Sequence, residues 1–338
     1  MTRLTSFAQL GRIGMAPLTM SVPMLGTLTQ GEPLAGGALF GLAGLALCAH
    51  LFGFALNDLI DHPLDRTLPG LRSHPLVTGR LSRREAWAFT LIQPPLALGI
   101  YLLMRGAPAG FVALCLSIAF SVVYNLWSKR GAIPRFLPEL ALASSIGLLC
   151  LSGAWLTTPQ ISPGSIIFAL TLTLVLLLLN SVSSGLKDIK TDAAFGARSF
   201  VLSTGSRMLD GDRMLISRQL WRYSAVLQTA ILICFIALLV LFRPGWPSSV
   251  LIGVLGVYAG LHLRMLLTLP SFAAVRRSMP LLDGYYNYAA LALFVVGQMP
   301  IALQVLYGLL ILSLLLIPWR LSWRVWRDPY HALGRHLR

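Results

Sequence analysis

Apolar runs of roughly 20 residues recur along this chain, each long enough to cross a bilayer core of about 30 Å as a helix. They cover approximately residues 13–29, 35–56, 86–104, 109–127, 136–156, 164–186, 221–242, 247–269 and 285–299, with a further run at 301–319. The pattern predicts an all-α polytopic membrane bundle. Composition agrees: 56% of the residues are hydrophobic and only 12% charged, about half the charged fraction of an average soluble protein. So few charges cannot coat a water-soluble domain, which excludes a soluble α/β enzyme, a disordered chain and a secreted disulfide scaffold. Cys48, Cys115, Cys150 and Cys234 all fall inside apolar runs, without a CxxC pair, and read as packing residues. The stretch after Arg12 has no A-x-A-like cleavage site and reads as a retained first helix.

The net charge of +15 arises from 27 Lys and Arg against 12 Asp and Glu. In a membrane protein such an excess marks cytoplasmic loops rather than a nucleic-acid footprint. The long loops 57–85, 128–135 and 187–220 hold most of the bases, whereas 30–34, 105–108 and 157–163 are short and nearly uncharged. The long loops are therefore expected on the cytoplasmic side. A straight helix over 285–319 would be about 52 Å long, so a break is expected at Met299-Pro300. Ten crossings, rather than nine, would bring the basic tail after Pro318 to the cytoplasm; an interfacial final helix is the competing reading.

The acids are scarce and clustered. Asn57, Asp61 and Asp65 are spaced i, i+4, i+8, on one face of a helix, with Asp58 between them and Pro63 near the end. Asp188 and Asp192 repeat the fourfold spacing, and Asn180 and Ser184 extend the same stripe backward. The two motifs lie four helices apart, a hint of a duplicated four-helix unit. Like charges at i, i+4 repel, so such stripes persist where a cation neutralises them. Hard carboxylate oxygens suit Mg2+, which keeps waters and shares phosphate oxygens. Two facing stripes would hold a diphosphate through divalent ions, with nearby bases completing the neutralisation. Taken singly, each Asp reads as a helix cap or a solvated loop residue and each base as an ordinary loop charge. Repetition on two helices, in a chain with 12 acids, favours function.

These residues resemble the UbiA superfamily of intramembrane prenyltransferases, the 4-hydroxybenzoate polyprenyltransferase type. The first signature reads Asn57-Asp58…Asp61…Asp65, followed by His74-Pro75-Leu76-Val77-Thr78-Gly79. The second reads Asp188…Asp192…Gly196…Arg198-Ser199, and Tyr124 with Lys129-Arg130 stands between them. His74 replaces the Arg usual before Pro-Leu, and Gly70 lies near the place of another common Arg. The resemblance implies nine core transmembrane helices around a central cavity in residues 1–300, leaving an additional C-terminal apolar helix and basic tail in 301–338. It also implies a catalytic cluster of Asn57, Asp58, Asp61, Asp65, Asp188 and Asp192. Mg2+ would be held by Asn57, Asp61, Asp65, Asp188 and Asp192. The isoprenoid diphosphate would be gripped by Tyr124, Lys129, Arg130 and Arg198, with Lys187 and Arg72 as second choices. The expected reaction is prenyl transfer within the membrane to a small acceptor, commonly aromatic. The alternatives are a UbiA-type terpene cyclase needing no acceptor, a secondary transporter, or a lipid-diphosphate binder with a decayed site. Glu139, Asp283 and Asn287 are further polar residues near helix ends, and Glu139 reads either as an acceptor-side base or as a water-exposed interfacial residue.

Overall fold

The computed structural model describes residues 2–31, 36–66, 73–128, 134–194, 196–197, 199–243, 253, 256, 259–260, 262–264, 266–267, 271–273, 275–276, 284 and 287–296. Arg72, Lys129, Arg130, Arg198, Asp283 and the whole of 301–338 lie outside these residues, as does most of the expected eighth span.

The helices are α1 (Arg3–Leu10), α2 (Ala16–Leu28), α3 (Gly36–Asp65), α4 (Arg83–Leu91), α5 (Gln93–Leu103), α6 (Pro108–Trp127), α7 (Phe136–Ala154), α8 (Pro163–Leu178), α9 (Gly185–Ala194), α10 (Phe200–Ser203), α11 (Arg218–Phe242) and α12 (Asn287–Val296). A π-helical segment, Leu179–Ser184, joins α8 to α9. Among the described residues six helical stretches are long and apolar enough to cross a membrane: Phe40–Pro63, Arg83–Leu103, Pro108–Trp127, Phe136–Ala154, Pro163–Ala194 and Arg218–Phe242. Ile13–Leu28 is a shorter apolar helix. The protein is thus an integral, multi-pass, all-α membrane protein.

Two helices are longer than a bilayer needs. The 30 residues of α3 span about 45 Å, and the 32 residues from Pro163 to Ala194 about 48 Å, at 1.5 Å per residue. Each exceeds the roughly 30 Å hydrocarbon core by three turns. Those extra turns carry the acid motifs. The loops expected at 57–85 and 187–220 therefore begin later than hydropathy suggests. A helix continues through Asp, Asn and Lys because its hydrogen bonds are internal; only the apolar pattern stops at the membrane boundary. The rest of the second loop holds a small antiparallel hairpin, β1 (Arg207–Met208) and β2 (Met214–Leu215), with Arg207 paired to Leu215. The span expected over 86–104 begins at Arg83, where Ser82 and Glu85 form a reciprocal capping box.

Packing follows from small residues. α7 lies against α2, α6 and α8, while α3 packs on α2 and α5 and α8 on α11. A Cβ on Gly26 would fall 1.9 Å from the Cys150 carbonyl, and one on Gly153 would fall 2.0 Å from that of Pro23. Only glycine lets α2 and α7 approach so closely. Thr27 Oγ1 ties the contact by donating to the Gly153 carbonyl at 2.9 Å. The main core gathers Leu25, Tyr101, Phe168, Leu178, Phe235 and Phe294. A smaller cluster of Leu10, Ala55, Leu59, Leu76, Leu81 and Ala86 seats α1 and the 73–82 loop on the end of α3. Leu103, Val112, Val226, Ile233 and Val240 are exposed, as lipid-facing positions of a bundle are.

Candidate active site

The acids at the end of α3 differ in what holds them. At about 100° per residue Asp58 lies about 100° around the helix from Asn57 but only about 20° from Asp65, so its partners, and not its face, set it apart. Asp58 is buried, 3% exposed, between two donors: Arg12 Nη2 donates to its Oδ1 at 2.6 Å and His74 Nε2 to its Oδ2 at 3.0 Å. Both carboxylate oxygens face these partners. The guanidinium also covers the Phe54 ring, 5.1 Å from its centroid. Arg12 has a left-handed backbone, φ 44° and ψ 47°, a conformation that costs a non-glycine residue about 1–2 kcal/mol. His50 helps hold it. Its Nε2 faces the carbonyls of Gly11 at 2.8 Å and Arg12 at 3.3 Å, so that nitrogen carries the proton and Nδ1 accepts from Thr19 Oγ1 at 3.2 Å. Arg12 reads in the sequence as an ordinary loop charge, yet it anchors the N-terminal segment to α3. His74, where the family pattern has Arg, is a partner of Asp58.

Toward α6, Asn57 has a different support: its Nδ2 donates to Asn125 Oδ1 at 3.0 Å, and Asn125 Nδ2 donates to the Ser121 carbonyl at 2.8 Å. Nothing in the spacing of the acid motif singles out Asn125; its only signal is an amide in an apolar helix, next to Tyr124. Asp61 is half-buried and Asp65 buried.

The second motif is set by the π segment. Its wider turn breaks the straight Asn180–Ser184–Asp188 stripe and directs Asn180 to α7, where its Nδ2 donates to Glu139 Oε2. Asn180 also lies within hydrogen-bonding reach of the Tyr124 hydroxyl, on which the charges of Glu139, Asp61 and Asp188 all act. Asp192 acts in turn on Glu139. Tyr124 is thus the point where the electrostatic fields of the two motifs meet. Lys187 Nζ lies 3.4 Å from Asp188 Oδ2, in a partly exposed pair that contributes little stability by itself. Ser181 Oγ donates to the Tyr223 hydroxyl at 3.1 Å, which brings α11 to the same region.

Among the described residues no three His, Cys, Asp or Glu converge into a ready-made metal cage. The donor set of Asn57, Asp61, Asp65, Asp188 and Asp192 is nevertheless all hard oxygen, spread over two helix ends. That chemistry suits Mg2+, which takes one or two carboxylates and fills its remaining positions with water and phosphate oxygens. A shallow depression lined by Leu215, Ile216, Arg218, Trp221, Leu266 and Leu267 lies elsewhere, beside the hairpin.

A sequence model of the UbiA prenyltransferase family matches residues 16–279. A chloroplastic 2-acylphloroglucinol 4-prenyltransferase of Humulus lupulus is 30% identical over 218 residues, 60% of this chain and 49% of that protein, so the chain matches about half the length of this relative. A protoheme IX farnesyltransferase of Ectopseudomonas mendocina is 30% identical over 93 residues, 28% of this chain and 31% of its own. Among solved structures, a digeranylgeranylglyceryl phosphate synthase aligns with a TM-score of 0.68 at 17% identity, covering 88% of this chain and 99% of that one. A UbiA homologue from Archaeoglobus fulgidus bound to GPP and Mg2+ aligns with a TM-score of 0.62 at 18% identity, covering 87% and 98%. With the family match spanning most of the chain and the same fold in these structures, the chain belongs to the UbiA prenyltransferase family.

Proposed function

We propose that the protein transfers a prenyl group from an isoprenoid diphosphate to an electron-rich aromatic acceptor in the membrane. The observation that carries this reading is the meeting of the two acid motifs at Tyr124, on which Asp61 from α3 and Asp188 from α9 both act. Like-charged motifs on separate helices are costly unless a cationic group is held between them. Asn57, Asp61, Asp65, Asp188 and Asp192 would hold Mg2+, which when bound neutralises the leaving diphosphate. Asn125 fixes the Asn57 amide so that its oxygen can point toward that group. Tyr124 donates a hydrogen bond to the diphosphate, and Lys187, Lys129, Arg130, Arg198 and Arg72 supply positive charge. The surrounding apolar helices exclude water from the allylic cation. The base-rich loops put this end of the bundle in the cytoplasm.

The aromatic acceptor is supported by the 2-acylphloroglucinol 4-prenyltransferase relative, whose name states a phenolic substrate. Purified protein given geranyl diphosphate, Mg2+ and an acylphloroglucinol is expected to form a prenylated phenol. EDTA should abolish the product and added Mg2+ restore it. Asp61→Ala and Asp188→Ala should each lower turnover by about 100-fold or more, as expected for loss of transition-state charge stabilisation. Full activity in either variant refutes the proposal. A cyclised hydrocarbon from geranyl diphosphate alone would assign the protein to the cyclases instead.

A further inference from the structure

Glu139 belongs to neither acid motif, yet it sits among their residues. It lies in the first turn of α7. Its carboxylate accepts from Asn180 of the π segment, and Asn180 reaches Tyr124 of α6. Among the described residues, the titratable groups shown to interact with it are Asp192 from α9, Tyr124 from α6 and Tyr223 from α11. Its neighbours among the described residues thus include an amide, two phenols and a second acid. A tie between α7 and the π segment needs no charge, because a neutral Gln would accept the same hydrogen bond from Asn180 without repelling Asp192. A half-buried carboxylate in this position therefore has a use beyond packing. The aromatic surroundings are those of an arene site: Tyr223 meets Phe136 edge-on at 6.2 Å and Phe200 at 4.9 Å. π segments also recur at functional sites.

We propose that Glu139, oriented by Asn180, is the base that receives the proton released when the aromatic acceptor is prenylated; this rests on the prenyl-transfer reading above. The C1–O bond of the allylic diphosphate breaks, and its electron pair leaves with the diphosphate. A π pair of the acceptor ring forms the new carbon–carbon bond. The ring C–H bond then gives its electrons back to the ring as its proton passes to the Glu139 carboxylate, which later releases it to water. Asn180 is a positioning residue in this scheme, and Glu139 is the residue that touches the acceptor.

The test uses the full-length protein in detergent with geranyl diphosphate and an acylphloroglucinol. Glu139→Gln keeps the size and the acceptor for Asn180 but cannot take a proton. Its turnover should fall by about 100-fold or more, with the KM for geranyl diphosphate changed by no more than about twofold. Mg2+-dependent binding of geranyl diphosphate should persist. Glu139→Asp, which keeps a carboxylate one methylene short, should retain intermediate turnover and the acid limb of the kcat–pH profile. That limb should be missing from the residual activity of Glu139→Gln. The assignment is overturned if Glu139→Gln keeps more than about a third of wild-type turnover, or if it loses geranyl diphosphate binding together with turnover. It is equally overturned, even where Glu139→Gln does not fold, by a Glu139→Asp protein that lacks the acid limb. Failure of the wild-type protein to bind geranyl diphosphate with Mg2+ would instead overturn the prenyl-transfer reading itself, so the two failures are told apart.

Discussion

Replacing Asp58 with Asn isolates the part of the first motif that holds the fold together. Asp58 is 3% exposed and accepts from Arg12 at 2.6 Å and from His74 at 3.0 Å. Hydrogen bonds to a charged group contribute about 1.5–3 kcal/mol each. Arg12 is 31% exposed, so water can take up its guanidinium when the carboxylate is lost, which places that bond at the low end of the range. Asn retains one acceptor oxygen and the shape of the side chain. The expected loss for Asp58→Asn is therefore about 2 kcal/mol, and for Asp58→Ala about 3 kcal/mol. Equilibrium unfolding in mixed detergent micelles measures both. A double-mutant cycle with Arg12→Met should show a coupling of about 1–2 kcal/mol. Mg2+-dependent binding of geranyl diphosphate should change by less than about threefold in Asp58→Asn, a difference below 1 kcal/mol, because both carboxylate oxygens are taken up by Arg12 and His74. Additivity of the two substitutions within about 0.5 kcal/mol would refute the clamp. Loss of binding with unchanged stability would instead place Asp58 among the metal-holding residues.

Two further substitutions test how the bundle positions the site. Asn125→Ala frees the amide of Asn57 and should weaken Mg2+-dependent turnover by about 10–100-fold, the usual cost of losing a residue that orients a metal ligand; geranyl diphosphate titrations at several Mg2+ concentrations will read it. Gly153→Ala drives a methyl group toward the Pro23 carbonyl and should cost about 1–3 kcal/mol as α2 and α7 are forced apart, measured by the same micelle unfolding.

Much of the architecture is legible without coordinates, because the signals are local. Helix length and apolar content mark the spans, and fourfold spacing marks Asn57, Asp61 and Asp65 as one face wherever α3 lies. Element ends are less legible. Hydropathy stops at the membrane boundary, while α3 and α9 continue to Asp65 and Ala194 because backbone hydrogen bonding does not depend on apolar side chains. The hairpin at Arg207–Leu215 carries no alternating pattern, since its strands are only two residues long.

The sequence by itself determines that the chain is a helical membrane protein with scarce acids collected into two motifs of helical period. Both properties follow from the solvent demanded by each residue and from a repeat measured along one helix. Only the tertiary structure decides which partners those acids meet. The seating of the segment after α1 and of the 73–82 loop on the end of α3 makes Arg12 and His74 the partners of Asp58. The register of α6 against α3 gives Asn57 its support from Asn125. The π turn before α9 rotates Asn180 onto Glu139. Each pairing joins residues far apart in the chain through helix packing and one irregular turn, and a local repeat contains no information about either.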